Sequence, residues 1–176
     1  ALAHAMDRGI AWQLILVGGQ FAISRGDHES ILEDAQVIEP SLIMSMPHFW
    51  NDLYYDYKQI LQNLIIRYLK NIEKVPNPSQ ELVDLLFSCC ENKSDNPIIS
   101  GILNEAREKI TKSIGTKCEV IGTGGSSISD QVLDFLKEFF ANSQIINSYG
   151  TTEVPGISSN GEISKNLDAD NLYPLK

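Results

Sequence analysis

The first half of this sequence contains one long run of apolar side chains at helical spacing. Apolar residues recur at every third or fourth position, which places them along one side of an α-helix. The run consists of Trp50, Leu53, Tyr54, Tyr57, Leu61, Leu64, Ile65, Tyr68 and Ile72. We therefore predict a long amphipathic helix whose aromatic residues belong to the protein core, ended by the polar stretch over 74–78.

Shorter patterns predict further elements on both sides of this helix. In chain order they are a helix over 2–17, a strand over 20–24, a helix over 29–38 and an almost wholly apolar strand over 42–46, expected to be buried on both faces. Gly18 suits the end of the first helix. Asn77 and Asn96 are each followed by proline, which is typical of a helix start. The helix after Asn96 is predicted to bury Ile98, Ile99, Ile102, Leu103, Ala106 and Ile110.

The second half of the chain alternates between strands, loops and a helix. A strand is predicted over 118–121, a helix over 130–140 with Ser129 as its cap, and a second strand over 144–147. A glycine-rich loop follows the first strand and a polar loop follows the second. This order indicates an α/β unit, over about 117–160, after a helix-rich insert over about 48–114. Ligands bind at the carboxyl ends of strands in such sheets, so both loops are candidate binding segments.

Composition and charge narrow the possible functions. The 176-residue chain is 43% hydrophobic and carries a formal net charge of -9. An acidic surface repels a polyphosphate backbone, which argues against a nucleic-acid partner. The three cysteines, Cys89, Cys90 and Cys118, lack metal-ligand spacing, which favours reduced thiols and a cytoplasmic location. No apolar run reaches the roughly 18 residues that a membrane span requires.

The glycine-rich loop, GTGGSSIS over 122–129, exposes backbone N–H and C=O groups with little side-chain bulk. A flat base can approach such a backbone closely and be recognised by its polar edges. The loop is not a phosphate-binding P-loop, because the pattern G-x-x-x-x-G-K-[ST] is absent. Taken alone, its spacing fits a flexible strand-to-helix turn better than a binding loop.

The polar loop, YGTTE over 149–153, combines an aromatic ring, a glycine, two hydroxyls and a carboxylate. The ring can stack on a base, and the hydroxyls can hydrogen-bond phosphate oxygens. The carboxylate can hold Mg²⁺, a hard cation that prefers oxygen ligands and often bridges phosphates. Without its context, such a pentapeptide is more often a solvated loop.

Together, these segments resemble the adenylate-forming (AMP-binding) superfamily of acyl-CoA synthetases, luciferases and peptide-synthetase adenylation domains. The segments KSIGTKCEV, GTGGSSIS and QIINSYGTTE follow the family's order, and LAHAMDRG and IEPSLIMSMPHFWNDLYYDY resemble its upstream motifs. The resemblance covers nearly the whole chain and favours long-chain fatty acyl-CoA synthetases. It implies an α/β fold of three-layer type, with a mixed sheet flanked by helices, in part of a large N-terminal domain.

The resemblance also implies roles for individual residues in the adenine pocket. Gly124, Gly125 and Ser126 would line the pocket through their backbone, Tyr149 would stack on the adenine, and Gly150 would belong to the same nucleotide-binding segment. The family usually has proline where this chain has Ser127.

The phosphate side of the implied site comes from the end of the polar loop. Thr151 would bind the nucleotide, Thr152 would contact the α-phosphate, and Glu153 would hold Mg²⁺ as the metal ligand. His4 would lie near the carboxylate end of the acyl site; a packed or solvated histidine is the alternative. Thr152, Glu153 and His4 are thus the implied catalytic residues.

Two further positions depart from the family's pattern, and a third is a histidine for which the resemblance implies no role. His48 replaces a common arginine and Asn51 a common acidic residue, so a salt bridge expected there is in doubt. His28 lies in a polar turn and is expected to be exposed.

The implied activity is that of an acid–thiol ligase. ATP and a fatty or other carboxylic acid form an acyl-adenylate with Mg²⁺, and coenzyme A then attacks it. One alternative is the adenylation domain of a carboxylic acid reductase, and another is a non-catalytic nucleotide-binding module. The expected location is cytoplasmic, or peripheral on a membrane for the full-length protein.

The 176 residues alone are predicted to be inactive in adenylation, although the longer protein is active. The family's Ser/Thr/Gly-rich phosphate loop precedes the segment that resembles LAHAMDRG, and its catalytic lysine follows long after YGTTE. We expect the purified chain to show no acid-dependent exchange of pyrophosphate into ATP. Measurable exchange would contradict this prediction.

Overall fold

The computed structural model describes residues 5–92 and 96–150, together with the short strands 158–159 and 162–163. The described helices are α1 (Ala5–Leu16), α2 (His28–Ile38), α3 (Pro47–Asn71), α4 (Gln80–Glu91), α5 (Pro97–Ser113) and α6 (Asp130–Phe139). The described strands are β1 (Leu42–Ser45), β2 (Val120–Gly124), β3 (Gln144–Tyr149), β4 (Ser158–Ser159) and β5 (Glu162–Ile163).

The strands form one mixed sheet in the order β1-β2-β3-β4-β5. The first three are parallel, and β4 and β5 continue the sheet in antiparallel fashion. Ile43, Ile121 and Ile145 share one register row, and all three pack in the core formed with the helices. The α/β class with a mixed sheet flanked by helices is confirmed.

The long helix α3 provides the centre of the core, as its apolar spacing predicts. Trp50, Leu53, Leu61 and Ile65 are completely buried along it. The ring of Tyr57 on this helix packs edge-on against Phe139 of α6, with ring centroids 4.6 Å apart. Aromatic pairs favour this geometry. The prediction that the aromatic residues of the apolar run belong to the core is confirmed for Trp50, Tyr54, Tyr57 and Tyr68, whereas Tyr55 of the same helix is exposed.

Side-chain caps mark the starts of four of the described helices. Asp27 caps α2, Asn96 caps α5 and Ser129 caps α6, each through a side-chain oxygen that accepts a backbone N–H. The predictions for Asn96 and Ser129 are confirmed. The prediction for Asn77 is wrong, because Ser79 accepts the N–H of Leu82 and α4 begins after it.

Three other local predictions are wrong. Residues 20–24 form no strand; they are exposed and lie in an irregular segment. The strand β1 is half-buried rather than buried on both faces, because within the described chain it pairs on one side only, with β2. Ile98 is 44% exposed, since the buried stripe of α5 runs through Ile99 and Ile102 instead.

Leu61→Ala removes a fully buried side chain from the middle of α3. We expect the free energy of unfolding, measured by urea denaturation, to fall by about 2–5 kcal/mol because the truncation leaves a cavity. Leu85→Ala is the matched control at a leucine that is 61% exposed, and it should change that energy by at most about 0.5 kcal/mol. Equal losses in the two variants would refute the assignment of Leu61 to the core.

Candidate nucleotide-binding site

The two candidate loops leave neighbouring strands of the sheet. The strand β2 begins at Val120, two residues later than predicted, and extends to Gly124, while β3 extends to Tyr149. Both strands therefore end later than the sequence predicts. Their parallel pairing continues through Gly122–Ile146, Thr123–Asn147 and Gly124–Ser148, and this pairing keeps the glycines extended. Since paired strands lie about 4.8 Å apart, the loops begin side by side at one edge of the sheet.

Gly124 allows an unusually close approach between the two strand ends. A Cβ atom built on Gly124 would lie 2.7 Å from the carbonyl oxygen of Ser148. Cβ atoms essentially never come so near another atom of this kind, so any larger residue would push the ends of β2 and β3 apart. Glycine at this position therefore fixes the spacing between the two loops.

The turn itself starts at Gly125, which has a φ of 84°. This left-handed conformation costs glycine little and strains other residues. The chain then passes through Ser126 and Ser127, both exposed, and reaches the Ser129 cap of α6. The turn thus presents its backbone to solvent just before a helix N-terminus, where the helix dipole favours negative charge.

Tyr149 stands across from this turn at the last position of β3. Its side chain is 61% exposed, so the ring is accessible to a flat ligand at the sheet edge. Gly150 follows and is half-buried. The structure thus brings Gly124, Gly125, Ser126, Tyr149 and Gly150 to the same edge.

The phosphate side of the predicted site lies outside the described residues. This applies to Thr151, Thr152 and Glu153, and to His4 near the start of the chain. Among the residues that are described, no group of three or more His, Cys, Asp or Glu side chains could hold a metal ion. The roles of these four residues stay predictions.

Several residues that support the site carry no sequence signal for it. The Sδ atom of Met44 occupies the space that a side chain at Gly122 would need. Thr123 is completely buried, and its Oγ1 has no hydrogen-bond partner among the described residues. The indole Nε1 of Trp50 donates a hydrogen bond to the carbonyl oxygen of Gly122, at 3.3 Å. These contacts join segments that are distant in the sequence, so spacing alone does not reveal them.

Cys90 is buried, and His28 and Cys118 are half-buried. The prediction that His28 is exposed is wrong: its Nε2 lies 2.7 Å from Asp56 Oδ2, its side chain is 21% exposed, and its ring packs against Phe49. Burial raises the pKa of the Cys90 thiol to about 11 and also raises the pKa of Cys118. Both thiols are therefore protonated and poorly nucleophilic near neutral pH.

A cavity of about 310 Å³ lies elsewhere, among the side chains of α3, α4 and α5 near Leu69, Leu82 and Ile99. Leu69 is separated from Trp50 along α3 by roughly 28 Å, at about 1.5 Å per residue. This cavity is therefore distinct from the edge of the sheet where the two loops begin.

Across the described ranges, none of the helices has the length and apolar character needed to cross a membrane.

Comparisons with known proteins identify the family of this chain. The family described as AMP-binding enzyme matches residues 1–174. The peroxisomal long chain acyl-CoA synthetase 7 of Arabidopsis thaliana is 28% identical over 97% of this chain and 22% of its own length. Long-chain-fatty-acid--CoA ligase 5 of Mus musculus is 24% identical over 88% of this chain and 21% of its own length. The chain therefore spans about a fifth of the curated relatives that it matches.

The fold is similar to a solved adenylation domain. The crystal structure of that domain of the carboxylate reductase from Mycobacterium chelonae superimposes with a TM-score of 0.51 at 16% identity, over 81% of this chain and 18% of that one. At this identity the likeness shows a shared fold and nothing finer. Because the family match extends over almost every residue, the chain belongs to the AMP-binding enzyme family.

Proposed function

We propose that this chain forms the adenine-binding part of an ATP-dependent long-chain fatty acid–CoA ligase. The observation that carries the proposal is the placement of the Gly124–Ser126 turn and Tyr149 at adjacent strand ends. The choice of a fatty acid and coenzyme A as substrates rests on the curated relatives named above, which are long-chain acyl-CoA synthetases or ligases.

The adenine would lie between the turn and the tyrosine ring. The exposed backbone at Gly125 and Ser126 offers donors and acceptors that can meet the polar edge of the base. Tyr149, with 61% of its side chain exposed, offers a face for stacking, which contributes about 1–3 kcal/mol per base in proteins that bind single-stranded nucleic acids. Backbone recognition of this kind needs little positive charge, which suits a chain with a net charge of -9.

The phosphates and the metal would be held by the residues that follow Tyr149. In this proposal the hydroxyls of Thr151 and Thr152 bind phosphate oxygens, and the carboxylate of Glu153 binds Mg²⁺. A single carboxylate from the protein is enough, because Mg²⁺ in nucleotide sites usually binds one or two carboxylates and completes its coordination shell with phosphates and water. When bound, the metal neutralises charge on the phosphates.

The reaction requires positioning more than covalent chemistry from the protein. The carboxylate of the acid attacks the α-phosphorus in line, pyrophosphate leaves, and the thiol of coenzyme A then displaces AMP from the acyl-adenylate. Holding the two reactants in this geometry and stabilising the developing charge are the main contributions expected of the site. His4 is proposed to lie near the acid's carboxylate, and the full-length protein to act in the cytoplasm or peripherally on a membrane.

Glu153→Ala tests the metal side of the proposal. We expect the affinity of the chain for ATP in the presence of Mg²⁺ to fall about tenfold or more, since losing a bond to a charged group costs about 1.5–3 kcal/mol. Its affinity for AMP without Mg²⁺ should stay unchanged. Isothermal titration calorimetry measures both, with Glu81→Ala, an exposed glutamate of α4, as the control. Unchanged affinity for ATP would favour a non-catalytic module instead.

Gly124→Ala tests the adenine side. The added methyl group meets the carbonyl oxygen of Ser148, so the ends of β2 and β3 must separate and the affinity for AMP should fall at least about fivefold, or roughly 1 kcal/mol. Gly101→Ala is the control because nothing lies within 4 Å of its added Cβ, and alanine favours the helix there. If both variants bind AMP as the unmodified chain does, the two strand ends do not form the adenine site.

A further inference from the structure

Trp50 connects the long helix to the strand that carries the glycine turn. The residue lies in the first turn of α3, and its side chain is completely buried. Its indole Nε1 donates to the carbonyl oxygen of Gly122 at 3.3 Å, across 72 positions of the sequence. The bond reaches β2 two residues before Gly124, where the strand meets the turn.

The buried indole N–H of Trp50 needs this bond. An indole N–H can only donate, and buried polar groups are almost always paired because an unpaired one forfeits its hydration. The bond is also well supported: Phe49 packs edge-on against the Trp50 ring with centroids 4.9 Å apart, and Phe49 is itself 2% exposed. The indole therefore has little freedom to shift, and Gly122 is tied to a rigid group.

The other side of Gly122 is occupied as well. Met44 of β1 is its register partner, and the Met44 sulfur fills the space beside the Gly122 Cα. The end of β2 is thus held by a hydrogen bond from the helix layer and by a side chain packed beside it. This support matters for binding as well as for stability if the backbone beyond it hydrogen-bonds a ligand. Hydrogen bonds weaken steeply when their angle or distance departs from the ideal, so a small shift of that backbone would weaken them.

We propose that Trp50 is a positioning residue for base recognition: its hydrogen bond to Gly122 sets where the Gly124–Ser126 backbone meets the edge of the purine. This inference rests on the proposed function, because it assumes that the turn binds adenine. It predicts an effect on base selectivity that a purely structural tryptophan would not have. A structural role changes the free energy of unfolding and leaves the ratio of affinities for AMP and GMP intact.

The test replaces Trp50 with benzothienylalanine, which keeps the ring shape and puts sulfur in place of the N–H group. The same replacement at Trp12, which is 63% exposed, is the matched control. Calorimetric titration of the 176-residue chain with AMP and with GMP is combined with urea denaturation of each variant. We expect the affinity for AMP to fall about three- to tenfold at Trp50, since a displaced turn would weaken about one hydrogen bond to the purine, and the AMP:GMP ratio to move toward one. The Trp12 variant should keep the affinity for AMP and the AMP:GMP ratio of the unmodified chain.

Leu61→Ala separates selectivity from stability, because it destabilises the same helix far from Gly122 and should keep the AMP:GMP ratio. Trp50→Phe, which also lacks the N–H group, provides a second variant and should lower the ratio in the same way. The inference is overturned, while the proposed function stands, if the AMP:GMP ratio is unchanged in the Trp50 variants or changes equally in Leu61→Ala. An unmodified chain that binds no AMP overturns the proposed function, and this inference with it.

Discussion

The close approach of two parallel strands at Gly124 and Ser148 is the constraint on which the candidate site depends. With 2.7 Å between a notional Cβ of Gly124 and the Ser148 oxygen, only glycine lets β2 and β3 remain paired to their ends. That pairing places the Gly125 turn and Tyr149 next to each other although they are separated by the whole of α6 in the chain. The geometry of the edge therefore comes from backbone packing rather than from side chains that reach toward each other.

The helix layer gives this edge its rigidity. Tyr57 of α3 packs against Phe135 and Phe139 of α6, the helix that connects the two strands of the site. The same helix, α3, begins directly after β1 and donates the Trp50 hydrogen bond to β2. One long element thus contacts both the strand that precedes the turn and the helix that follows it, so movement of the turn would disturb the core.

In the proposed site, binding is divided between backbone and side chains in a way that suits the charge of the protein. A net charge of -9 gives no general attraction for phosphate, so recognition of a nucleotide must be local. Backbone groups at the turn and an aromatic face can bind the base without charge, and a divalent cation can offset the phosphates. The cysteines and His28 are accounted for by burial and by a contact with Asp56, which leaves them without a role at this edge.

The sequence by itself determined the α/β class, the long core helix, the caps at Asn96 and Ser129 and the strand–loop–helix–strand order of the second half, because periodicity and capping chemistry are local properties of the chain. It misplaced the helix start at Asn77 and the strand at 20–24, since a strand also needs a neighbour with which to pair. Only the tertiary structure decided that β2 runs on through Gly124, that Met44 covers Gly122 and that Trp50 supports it. Those facts depend on register and on contacts between residues far apart in the sequence, which no local pattern encodes.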